Sequence, residues 1–96
     1  MTENTYADEM TTIVVTVPAH APVLTWSEAF VFQGTEAIEA ISAIPESRVV
    51  EVVIPSNALF PGLWGVRVRA GATEAQAQTV YDGKLRVWRG IPRAAD

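Results

Sequence analysis

The sequence predicts an all-β protein: one antiparallel β-sandwich of six or seven short strands, with a short helical segment over 35–44. Three observations carry this expectation. Trp64, Val66 and Val68 alternate with Gly65, Arg67 and Arg69, which is the period of a strand with one buried and one solvated face. Asp82-Gly83 stands between two apolar runs, and Asp-Gly is a strong short-range signal for a tight hairpin turn. Runs of Val, Ile and aromatic residues recur at fairly regular spacing, separated by turn-forming residues.

Residues 1–11 are polar and aperiodic and read as a flexible arm. Residues 12–17 read as a first strand, with Ile13, Val15 and Val17 on one side. Pro18 and Pro22 bracket a loop, because proline cannot donate to a ladder. Residues 29–32 form an aromatic-rich strand that ends at Gly34. Over 35–44, Ile38, Ile41 and Ile44 recur every third residue, with Thr35 placed as an N-cap and Pro45 as a stop. That spacing favours a short helix or helical turn; isoleucine is also a good strand former, so a distorted strand is the alternative. Residues 49–54 are a β run of Val and Ile interrupted only by Glu51, and residues 55–62 connect it to the Trp64 strand. Residues 71–74 read as a turn, 76–81 as the next strand, 84–89 as the last, and 91–96 as a C-terminal tail. The whole forms a single domain over 12–90.

At 96 residues and 49% hydrophobic, the chain can bury a modest core and is not generally disordered. It has no cysteine, so disulfides and thiolate metal sites are excluded. No basic start with an apolar core marks a secretory signal, and no apolar run approaches the roughly 18 residues of a membrane span. The net charge of −4 is unevenly placed: residues 1–61 carry eight acids and one base, residues 62–96 six bases and three acids. Either neighbouring strands neutralise one another, or a basic face docks an acidic partner or a neighbouring copy. The overall acidity opposes nucleic-acid binding.

Catalytic chemistry finds no support in the residue pattern. His20 is the single histidine and lies in a proline-bracketed loop, so it cannot build a multi-histidine metal site. Serines 27, 42, 47 and 56 lack a nucleophile-elbow context, and the glycines form no phosphate cradle. No catalytic, cofactor-binding or metal-binding residue is assigned, and no cofactor is expected. The aromatics say more. Trp64 shares a face with Val66 and Val68 and is expected in the core, and Trp26 in the core or at its rim. In the last strand Leu85 and Val87 face inward by parity, which turns Lys84, Arg86 and Trp88 outward. An outward tryptophan beside cations is either an interface anchor or a ring packed under another part of the fold.

Over residues 52–89 the chain resembles the small immunoglobulin-like β-sandwich modules of tailed-phage virions, found in tail, baseplate and adaptor proteins. Pro61, Gly62 and Trp64 match the first element of the pattern, and Gly83, Leu85 and Val87 the second. Such modules usually carry a strand where residues 35–44 read here as a helix. The resemblance implies an immunoglobulin-like fold, a structural role, and no catalytic residues.

The expected function is therefore a non-enzymatic interaction module that binds neighbouring subunits, with Arg67, Arg69, Arg86 and Trp88 as interface candidates. Its partner would be another protein or a second copy, with no nucleic acid and no membrane. It would act in the virion or the host cytoplasm. Two other readings stand beside it. A carbohydrate-binding module would need at least two coplanar exposed aromatics among the tryptophans. A small acidic inhibitor of a host defence enzyme would need Glu36, Glu39, Glu46 and Glu51 clustered on one surface.

Overall fold

Cross-strand pairing organises every regular element of this chain. A computed structural model describes residues 2–20 and 22–89. Seven strands follow one another: β1 (Thr2–Tyr6), β2 (Thr11–Thr16), β3 (Trp26–Gln33), β4 (Glu36–Glu46), β5 (Val49–Ile54), β6 (Gly62–Gly71) and β7 (Gln78–Trp88). They form one sheet in the order β1-β7-β6-β3-β4-β5-β2, which curls on itself until it nearly closes as a barrel. There is no helix among the described residues, and so none long and apolar enough to cross a membrane. The all-β expectation holds. The all-antiparallel one does not, because β1 runs parallel to β7, with Thr2 opposite Lys84 and Tyr6 opposite Trp88.

Three local expectations are corrected. Residues 35–44 are not helical: Thr35 lies in a turn and residues 36–44 belong to β4. A two-residue turn, Gly34-Thr35, joins β3 to β4, and Gly34 supplies the positive φ of 59° that the turn needs. Ser47-Arg48 then turns β4 into β5. With a hairpin at both ends, pairing with two neighbours outweighs the weak helical preference of ten residues. Pro45 sits where the β4–β5 register shifts between Ala43 and Glu46, a place in a sheet that tolerates proline. Asp82-Gly83 is not a turn. It lies in the middle of β7, and the β6–β7 connection is residues 72–77. Finally, the expected flexible arm contains β1, held against β7 by its backbone. The tail expected over 91–96 lies outside the described residues.

Strand β4 links the two parts of the sheet. Its first half pairs with β3, as at Ala40 opposite Ala29, and its second half pairs with β5, as at Ile41 opposite Val53. The core lies inside the resulting curl. Trp64, Val66 and Val68 from β6, Leu85 from β7, Val31 from β3, and Val50 and Val52 from β5 are fully buried. Ile13 and Val15 of β2 close the core from the opposite side. Trp64 completes its burial by donating its indole N–H to the carbonyl of Phe60 at 2.9 Å. No charged or polar side chain is buried among the described residues, so hydrophobic packing and the backbone ladders hold the interior together.

Candidate docking face

The strand parity that buries Trp64, Val66 and Val68 sends Arg67 and Arg69 to the outside of the curl. In β7 the same alternation buries Leu85 and Val87 and exposes Lys84, Arg86 and Trp88. Residues directly opposite one another on paired strands share a face, so the registers map the outer surface. One row across β4, β3, β6 and β7 reads Glu39, Phe30, Arg67, Asp82. The next reads Ala37, Phe32, Gly65, Lys84. Toward β1, Leu63 stands opposite Arg86 and Arg86 opposite Asn4, and Trp88 pairs with Tyr6. All four candidates, Arg67, Arg69, Arg86 and Trp88, thus lie on one face of the sheet.

Their surroundings divide them into two pairs. Arg67 contacts Asp82 at 3.3 Å and lies over the Phe32 ring, 5.7 Å from its centroid. Arg69 contacts Glu28 at 2.6 Å and lies 5.8 Å from the Trp26 ring. Both guanidinium groups are already engaged with carboxylate and aromatic partners from neighbouring strands. Arg86 and Lys84 form no ion pair among the described residues. Arg86 instead stacks over Trp88 at 5.4 Å, and Trp88 donates its indole N–H to the Asn4 side-chain oxygen at 3.2 Å. That bond orients the ring yet leaves it 48% exposed, and Leu63 nearby is 43% exposed. The corner formed by Leu63, Lys84, Arg86 and Trp88 is therefore apolar and cationic together.

The other candidate groups remain apart. His20 is exposed in its loop, and no cluster of metal-ligating side chains occurs among the described residues. Ser27 of β3 donates at 3.0 Å to the hydroxyl of Ser42, its neighbour on the adjacent strand β4. An open cleft of about 320 Å³ at the other end of the sheet is lined by Val17, Leu24, Ala70, Ala72, Gln78 and Val80, none of which is a nucleophile or an acid. Glu36 and Glu46 stand ten positions apart along β4, roughly 30 Å at strand rise, while Glu51 faces Ala43 on β5. The four glutamates form no single acidic surface.

Sequence reasoning missed Asn4 and Tyr6, because the run Thr2–Tyr6 has no apolar alternation to mark it as a strand. It also missed Glu28 and Asp82 as partners of the arginines, since those pairings depend on the register between strands distant in sequence. No family model matches this chain, and no curated protein matches it.

Proposed function

We propose that this chain is a non-enzymatic attachment module that binds a neighbouring protein subunit through the outer face of β6 and β7. The observation that carries the reading is the Leu63, Lys84, Arg86 and Trp88 corner, where an oriented, half-exposed indole sits beside two cations that have no carboxylate partner among the described residues. Interfaces draw most of their energy from a few such residues, with tryptophan and arginine foremost. A partner carboxylate would complete Arg86 with a forked pair of hydrogen bonds, and Trp88 would supply the apolar anchor. Arg67 and Arg69 contribute less, because their charges are already matched at Asp82 and Glu28.

The fold we infer is immunoglobulin-like. Its support is the strand order. β2, β5 and the second half of β4 make one layer; the first half of β4 with β3, β6, β7 and β1 makes the other. Apart from β1, which lies beside β7, this resembles the division of strands between the two sheets of that fold. β4 also fills the segment where the phage modules carry a strand. With the likeness of residues 52–89 to those modules, this favours a virion subunit of the tail, baseplate or capsid surface. The carbohydrate reading loses its support at Trp64, which is fully buried, and at Trp26, which is half-buried beneath Arg69.

Replacing both Trp88→Ala and Arg86→Ala tests the docking face. The expected result is loss of co-purification with the neighbouring subunit, or of particle assembly, while the circular dichroism spectrum is retained. Unchanged assembly by a folded double variant would remove this face from consideration.

A further inference from the structure

The sheet ends at β2; Thr11 at its start hydrogen-bonds the Thr5 hydroxyl of β1 through its own hydroxyl, and beyond Thr11 no strand covers the edge. β2 pairs with β5 through all six residues without a register shift. No backbone hydrogen bond joins Thr11–Thr16 to any other described strand or loop. The strand therefore presents a row of backbone donors and acceptors, and groups so arranged recognise one thing best: another strand. Edge strands of soluble proteins are ordinarily protected by a lysine, a proline, a bulge or an inward charge. β2, Thr-Thr-Ile-Val-Val-Thr, has none of these, and Val14 at its centre is 60% exposed.

The geometry points to a second copy of this chain as the occupant, adding β2 against β2 in antiparallel fashion about a two-fold axis at Val14. The strand is self-complementary in that register. Residues directly opposite share a face, so Val14 meets its own counterpart on the outer side, flanked by Thr12 opposite the partner's Thr16. On the inner side Ile13 meets the partner's Val15, and both positions are buried core residues in the single chain. The pairing thus places β-branched residues against β-branched residues and threonine against threonine, combinations that stabilise cross-strand pairs. A two-fold axis is also the usual symmetry of a self-complementary contact. Electrostatics do not oppose it. Glu51 stands opposite Val14 on β5, so the two copies of Glu51 would lie three strand spacings apart, about 14 Å, beyond the screening length of roughly 8 Å at physiological salt. A six-residue strand offers a small contact, so the dimer is weak and depends on concentration. This surface lies on a different strand from the Trp88 corner and does not depend on it.

Light scattering across a concentration series tests the inference on the intact chain. The expected mass rises from 10.4 kDa toward twice that value, and Val14→Lys, which sets two ammonium groups against each other, weakens the association roughly tenfold or more. Because the chain has no cysteine, Val14→Cys gives a second readout that does not disturb the edge. It is expected to form an interchain disulfide roughly tenfold or more faster than Ala75→Cys, placed on the exposed β6–β7 connection. A chain that stays monomeric at every concentration overturns the proposal and leaves the edge to a strand from a different protein. So does a dimer that Val14→Lys leaves intact, or one that cross-links equally well at position 75. A dimer lost in Trp88→Ala but kept in Val14→Lys would assign self-association to the β6–β7 face instead, and also overturns it.

Discussion

Phe32 lies across Gly65 on the outer face of the sheet, so close that a Cβ at position 65 would come within 2.4 Å of its ring. The two residues are directly opposed on β3 and β6, and the ring covers backbone that a glycine would otherwise leave bare. Gly83 serves the same purpose on the inner face, where a Cβ would meet the Tyr81 hydroxyl at 2.6 Å. These contacts explain two glycines in strand interiors, where the residue is otherwise unfavourable. Gly65→Ala is expected to push Phe32 out of place, away from Arg67, and to destabilise the fold by about 1–3 kcal/mol. Urea unfolding measures it. In a Phe32→Ala background the same substitution should cost much less, because the ring it collides with is gone. Equal costs in both backgrounds would show that the glycine is needed for some other reason.

Among the elements, β4 and β7 show best where local reading succeeds and where it stops. The inward parity of Trp64, Val66, Val68, Leu85 and Val87 could be read directly, because a half-buried strand writes its faces into alternate residues. Four outward candidates followed from that parity alone. The continuity of β7 could not be read, since Asp-Gly is a turn signal wherever it stands free. Here Asp82 is held opposite Arg67 and Gly83 opposite Val66, so cross-strand pairing removes the reason to turn. In β4 the three isoleucines fall at helical spacing, but in the strand Ile38 and Ile44 turn toward the core while Ile41 is 60% exposed. The two geometries make opposite predictions. Ile38→Ser should cost about 1–3 kcal/mol and Ile41→Ser within roughly 0.5 kcal/mol, as judged by chemical denaturation. On a helix both isoleucines would share the packed side, and the costs would be alike.

For the molecule as a whole, the first and last described strands are neighbours, and this pairing had no signature in the sequence. β1 offers no apolar stripe, and its attachment is a backbone ladder, with the Trp88–Asn4 side-chain bond, to residues about eighty positions away. Local patterns cannot report such a partner. Arrangements built from distant pairings also fold slowly, on a scale of about milliseconds to seconds. Removing residues 1–6 is expected to leave the Lys84–Trp88 edge of β7 bare. The melting temperature should then fall by on the order of 10 °C, given about 4–8 °C per kcal/mol in a domain of this size, and light scattering should reveal aggregation. A truncated chain that melts at the parent temperature would show that β1 adds nothing to the fold. The same parallel arrangement has a mechanical consequence. Tension applied through the segments that flank β1 and β7 drags the two strands along each other in opposite directions. Their bonds are then sheared together across five facing positions rather than unzipped one by one, so the pairing resists a pull along the strands better than a pull across them.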